Sequence, residues 1–127
     1  MRARQLVVLL FFVLGAFAVF PHRATSAPDP QAAPKPTPEI MARAKKLYGF
    51  DCAVCHGPNG DAKGDMSGDY AGKLHDWTNP DALAGFTDQQ LFDIIKNGKG
   101  DMPPEGKRAK TDELWGLVAL VRSFSAK

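Results

Sequence analysis

The run Cys52-Ala53-Val54-Cys55-His56 constrains this 127-residue chain more than any other feature in it. Two thiols two residues apart, followed at once by an imidazole, read as the covalent attachment site of a c-type haem. The thiols add to the two vinyl groups of the porphyrin as thioethers, and the two-residue spacer spans the ring edge between them. His56 then lies under the iron and offers it a ring nitrogen. Cys52 and Cys55 are the only cysteines in the chain, so none is left for a second framework.

The same spacing has three rival readings. A simple Cys52–Cys55 disulfide suits an exported protein but gives His56 no role. A thioredoxin-like redox pair needs a strand-helix-strand setting, and no such pattern surrounds the motif. A zinc site wants four nitrogen or sulfur ligands, and beyond Cys52, Cys55 and His56 only His22 and His75 could help. Haem is the leading reading of the run.

The N-terminus bears on compartment. Arg2 and Arg4 precede an unbroken apolar or small run from Leu6 to Phe20, the pattern of a secretory signal. Cleavage after Ala18 fits the Ala16-Phe17-Ala18 site, and a position near Ser26 or Ala27 is the alternative. As a membrane anchor the run is short: fifteen residues span about 22 Å as a helix, against roughly 30 Å of hydrocarbon. Residues 1–27 are therefore expected to be a signal peptide, 28–38 a proline-rich linker and 39–127 the folded domain. Export to the periplasm or its equivalent agrees with the motif. The first 27 residues carry three arginines and no acid; without them thirteen basic residues face fourteen acidic ones. The basicity of the full chain thus gives no support to nucleic-acid binding.

Three helices are expected, with no convincing strand. Thr37 followed by Pro38 marks the first start, and Ile40, Ala44, Leu47 and Tyr48 share one face. Thr87 with Gln90 three residues on is a capping box, preceded by Phe86 as a staple for Leu91. Leu91, Ile94 and Ile95 point inward, and Asn97-Gly98 ends that helix. The third starts at Thr111 with Asp112 and Glu113 in its first turn; Leu114, Leu117, Val118, Val121 and Phe124 form its apolar stripe. Residues 57–72 are rich in Gly and Asp and predict a loop with short helical turns. One motif in about a hundred residues implies one domain and one haem.

A six-coordinate iron needs a ligand opposite His56. Met102 is the first candidate, because Pro103 and Pro104 bias it to extended backbone and stiffen its loop, which limits the entropy lost when a weak thioether ligand is fixed. Its sulfur would raise the reduction potential. His75 is the main competitor. Met66 reads as an exposed loop residue, Met41 as part of the first helix, and His22 lies in the N-terminal segment. Trp77 is read as a propionate donor or a packing residue, and Trp115 as a core or helix-contact residue.

The motif, the Met102-Pro103 loop and the C-terminal amphipathic helix, in this order, resemble the class I monohaem cytochromes c over roughly residues 40–124. The resemblance implies a small all-α cytochrome c fold wrapped around one covalent haem, with the first and last helices crossing near it. A small residue eight positions before the first Cys and an aromatic four before it form one side of that crossing; here these are Ala44 and Tyr48. The facing aromatic of the last helix is absent, since Leu117 and Leu120 fall at the expected places, or is replaced in part by Trp115. The proline that commonly supplies a carbonyl to the ligating histidine is also absent.

The function expected is single-electron transfer rather than enzymatic catalysis. The partners would be redox proteins as donor and acceptor, with a membrane complex as an alternative partner, no nucleic acid and no small-molecule substrate. Residues 94–127 carry seven basic residues against four acids, whereas 57–93 carry seven aspartates against Lys63 and Lys73. An acidic patch on a partner would therefore meet the Lys96–Lys110 rim. Two other classes stay open: a fixed subunit of a dehydrogenase or oxidase complex, and a ligand-binding or peroxidatic haem protein if the Met102 bond is labile.

Overall fold

A computed structural model describes residues 33–126. The expected signal peptide, His22 and the first residues of the proline-rich segment lie outside the described residues. Within them the fold is helical, without strands. Helix α1 spans Pro38–Leu47. The Thr37 side chain accepts from the Ile40 N–H at 3.3 Å, and Pro38 occupies a first-turn position where its missing N–H costs nothing.

The chain does not leave α1 through an ordinary cap. Tyr48–Cys52 form a π turn in which the Ala53 N–H donates to the Tyr48 carbonyl, five residues back. Such a turn inserts one residue into the helical path. Tyr48 faces the core, whereas Phe50 swings outward with 74% of its surface exposed. Helix α2, Ala53–His56, follows directly and ends at Gly57, whose φ of 80° closes it.

Helix α3, Asp88–Asn97, starts where the capping box was expected, with the Thr87 and Gln90 side chains each accepting from the other's backbone N–H. Helix α4, Thr111–Ser123, has Lys110 at its cap. Glu113 accepts from the Lys110 N–H at 2.8 Å, but a lysine side chain has no acceptor to return the bond. Short 3₁₀ turns at Ser67–Tyr70, Pro80–Leu83 and Phe124–Ala126 complete the chain. Arg122 binds α4 to this frame: its guanidinium donates to Asp88 at 2.8 Å, to the Leu83 carbonyl at 2.9 Å and to the Phe86 carbonyl.

Helices α1 and α4 pack on one another, and the contact corrects one expectation. The crossing is made by two small residues, Ala44 and Gly116. A Cβ on Gly116 would lie 2.9 Å from Ile40 Cγ2 and 3.0 Å from Ala44 Cβ, so the helices approach closely enough that any larger residue there must push these side chains aside. The aromatic partner of Tyr48 is Phe124, with ring centroids 5.2 Å apart. Trp115 does not replace it; that indole stacks on Phe92 of α3 at 4.4 Å. Gly116 and Trp115 are neighbours on a helix, about 100° apart, so the residue that meets α1 and the one that meets α3 cannot be the same.

Candidate haem site

The apolar faces of α3 and α4 do not close fully on α2. Between them lies a cavity of about 530 Å³, within the roughly 300–1,000 Å³ usual for cofactor and ligand sites. The π turn and α2 contribute Cys52, Cys55 and His56 to its lining. Helix α3 contributes Leu91, Ile94 and Ile95, and the loop beyond contributes Met102 and Pro103. His75 also lines it. Met66 is exposed, and Met41 packs against the core; neither lines the cavity. All four residues singled out from the sequence, and the main competitor, thus meet at one place.

The motif is held from three sides. The Tyr48 hydroxyl donates to the Gly57 carbonyl at 2.6 Å, bridging the whole Cys52–His56 run. The glycine-rich loop folds back onto α2: the Met66 N–H donates to the Val54 carbonyl at 2.8 Å. A Cβ on Gly64 would lie 2.3 Å from that oxygen, so no larger residue fits there. The third hold was not legible from the sequence. Trp77 stacks on the His56 ring, centroids 4.2 Å apart and planes 19° from parallel, and Phe124 continues the column at 6.4 Å. The Trp77 backbone N–H donates to the Gly60 carbonyl at 2.7 Å, which fixes the chain that carries the indole.

Electrostatics and satisfaction agree with a haem. Burial pushes the Cys52 thiol up to about 12, with Glu105 and Asp51 acting in the same direction; the site disfavours a thiolate and suits an uncharged thioether. Burial, and then the nearby His75, lower the pKa of His56, which favours the neutral imidazole that ligates metals. His56 Nδ1 is buried without a hydrogen-bond partner. Cys52 and Cys55 are not joined to each other as a disulfide. Among the described residues no group of three or more His, Cys, Asp or Glu is placed to hold a metal ion.

The Met102 loop is braced at both ends. Lys99 and Met102 exchange two backbone hydrogen bonds, each 3.1 Å, around Gly100. The Glu105 and Gly106 N–H groups donate to the Ile95 and Lys96 carbonyls, each at 2.9 Å, satisfying acceptors at the end of α3 that the helix leaves open. Lys73 pairs with Asp101 at 2.7 Å, joining the loop before Trp77 to the Met102 turn. Glu105, which the sequence reading counted only as one acid in a basic segment, is the one buried charged residue among those described, 3% exposed, and it lines the cavity.

Comparison with known proteins agrees with this chemistry. Residues 39–121 match the family model described as cytochrome c oxidase, cbb3-type, subunit III. A chain of the Kuenenia stuttgartiensis reducing HAO-like protein complex Kustc0457/Kustc0458 is similar at 25% identity and a TM-score of 0.61, over 73% of this chain and 47% of that one. The present chain thus spans about half the length of that relative. The KustC0563 c-type cytochrome is similar at 26% identity and a TM-score of 0.56, over 64% of this chain and 95% of that one. The c-type cytochrome NirC shares the fold, at 24% identity and a TM-score of 0.51 over 69% and 94%. The all-α frame, the motif on α2 and the family match coincide over the same residues, and the chain belongs to the cbb3-type cytochrome c oxidase subunit III family, as a small c-type cytochrome with covalently bound haem c that serves electron transfer.

Proposed function

We propose that the protein carries single electrons between exported redox proteins, with one haem thioether-linked at Cys52 and Cys55 and its iron held between His56 and Met102. The observation that carries this reading is the shared cavity, which gathers these four side chains from two separate stretches of chain against an apolar wall. Bound haem supplies a one-electron couple between ferric and ferrous iron. The protein's part is to hold two ligands in fixed positions through both states. Trp77 keeps the His56 ring oriented by stacking, and the braced turn limits the travel of Met102. With His56 and Met102 as the protein ligands, little would have to rearrange on reduction, and no iron position would be left open to oxygen or peroxide. The chain is read as a carrier and not as an enzyme by itself.

Optical spectra of the exported, haem-loaded protein test this, with Met102→Ala and His75→Ala beside the parent. The expected result is a low-spin spectrum with a far-red sulfur-to-iron band that Met102→Ala abolishes and His75→Ala leaves in place. Low-spin haem without that band would move the ligand to His75, and high-spin haem would overturn the carrier reading. The organisation proposed is a signal peptide at 1–27, a linker at 28–38 and the cytochrome domain at 39–127; the mass of the mature protein checks the first boundary. No helix among the described residues is long and apolar enough to cross a membrane.

Docking is proposed to use the lysines near the Met102 turn. Arg108 is engaged with Glu105 and Asp51, so the rim's charge rests on Lys96, Lys99, Lys107 and Lys110, and Lys99 itself lines the cavity. An acidic partner would then show transfer rates that fall with salt, and Lys99→Glu with Lys107→Glu would abolish that dependence. A second reading, a fixed subunit of a larger redox complex, is favoured by the similarity to a chain of the Kustc0457/Kustc0458 complex. Stable co-purification with an enzyme would select it.

A further inference from the structure

Two buried side-chain atoms among the described residues lack a hydrogen-bond partner, His56 Nδ1 and Glu105 Oε2, and both residues line the same cavity. Native proteins pair their buried polar atoms, so an exception calls for a cause. For Glu105 the cause is not a loosely placed side chain. Its N–H is bonded to the Ile95 carbonyl, and its own carbonyl accepts from the Arg108 and Ala109 N–H groups at 2.9 and 3.0 Å. The next residue is fixed as well, because a Cβ on Gly106 would lie 2.7 Å from the Lys96 carbonyl oxygen. One carboxylate oxygen, Oε1, accepts from the Arg108 guanidinium. The same guanidinium reaches Asp51, the residue before Cys52, at 3.2 Å. One cation therefore serves two acids, and the more deeply buried of these keeps an oxygen without a partner.

We propose that Glu105 sets the reduction potential: it is a carboxylate built into the cavity wall that favours the oxidised haem and lowers the potential, with Arg108 moderating the effect. The charge balance is direct. A porphyrin dianion with ferric iron carries one positive charge, and with ferrous iron none. Reduction adds one electron and neither makes nor breaks a bond. A fixed negative group in a low-dielectric wall stabilises the cationic state more than the neutral one. Burial also shields Glu105 from salt, unlike the surface lysines. Glu105 touches no iron ligand in this role; it acts through its field. The inference rests on the haem occupying this cavity, as in the reading above.

The test is potentiometric titration of the haem-loaded protein, parent against Glu105→Gln and Arg108→Gln, at neutral pH and at low and high salt. Glu105→Gln removes the charge at nearly constant shape and should raise the midpoint potential, with a shift that persists at high salt. Arg108→Gln strips both carboxylates of their cation and should lower it, whereas Arg108→Lys keeps a cation beside the buried acid, should leave the potential near the parent's, and tests the charge even where Glu105→Gln fails to load haem. A purely structural role would loosen the site in both glutamine variants and move them the same way, so opposite signs are the discriminating result. An unchanged or lowered potential in Glu105→Gln with a parent-like optical spectrum overturns the proposal, as does an unchanged or raised one in Arg108→Gln. A parent protein without low-spin haem would instead sink the carrier reading, and the optical spectrum reports that separately.

Discussion

The hydrogen bond from Tyr48 to Gly57 closes the loop of chain that holds the attachment motif, and Tyr48→Phe isolates it. The ring stays, and with it the packing against Ala44 and Phe124; only the hydroxyl goes. A buried hydrogen bond contributes about 1 kcal/mol, and an orphaned partner raises the loss to about 1–3 kcal/mol. Here the partner is not orphaned, because the Gly57 carbonyl also accepts from the Gly60 N–H at 3.1 Å. The expected cost is therefore about 1 kcal/mol, or a fall in Tm of about 4–8 °C for a domain of this size. Tyr48→Ala would lose the ring as well and cost about 3–5 kcal/mol. Urea unfolding of the haem-loaded proteins, followed by circular dichroism, separates the two. The bond also has a pH signature. Burial, with Cys52 and Asp61 acting in the same direction, holds the Tyr48 hydroxyl well above the ordinary tyrosine range. The folded state thus keeps its proton where the unfolded chain releases it. Stability from this group is intact below the unfolded pKa of about 10 and declines above it, by about 1.4 kcal/mol per pH unit. The advantage of the parent over Tyr48→Phe should vanish within about one pH unit above 10. A Tyr48→Phe protein as stable as the parent at pH 7, or a gap unchanged at pH 11, would refute the reasoning.

Three further outcomes are expected. Gly116→Val should destabilise by about 3 kcal/mol through overpacking against Ile40 and Ala44, while in Gly116→Ala a helix-propensity gain of about 1 kcal/mol offsets part of the clash; equal denaturation midpoints for the two would remove the close-crossing argument. Trp77→Leu should keep covalent haem but lose the stacked support of His56, costing about 1–3 kcal/mol and broadening the low-spin resonance signal; an unchanged signal would show that the ring is oriented by something else. Replacing Cys52 and Cys55 by serine should yield a chain without native near-ultraviolet circular dichroism. Without the haem, the apolar wall of this cavity stays in contact with water, and a domain this small has little further core to offset that loss. A cooperative thermal transition in that variant would contradict this.

What the sequence disclosed and what it hid follow from the range of the forces involved. The starts of α1 and α3 were legible at Thr37 and Thr87 because a cap is settled within four residues. The inward stripe of α4 was legible because its period is local, and the attachment motif because its chemistry is contiguous. The π turn was hidden: nothing in Tyr48–Cys52 marks an inserted residue, and it is the packing on either side that imposes it. Gly116 was hidden for a similar reason, since a glycine inside a helix shows its purpose only when the facing Ala44 is known. Trp77 lies twenty-one positions from His56, and their stacking depends on how the intervening loop returns over α2. Glu105 was only one acid in a basic segment, since nothing local sets it apart from solvated acids; its burial comes from the backbone bonds that draw its loop onto the end of α3.

The widened turn at Tyr48–Cys52 makes chain length at this point a matter of phase. Each residue of an α-helix advances the side chains by about 100°, so removing one residue from 49–51 would not merely shorten a connection. It would restore an ordinary helix and rotate Cys52, Cys55 and His56 together away from the core-facing Tyr48. A loop such as 57–72 can absorb a gained or lost residue by bowing, but a motif cross-linked to its cofactor at two sulfurs cannot turn back. Within this family, then, insertions and deletions should accumulate after the attachment histidine and avoid the five residues that end at the first cysteine, and a grafted motif will work only when its donor helix arrives with the same rotation.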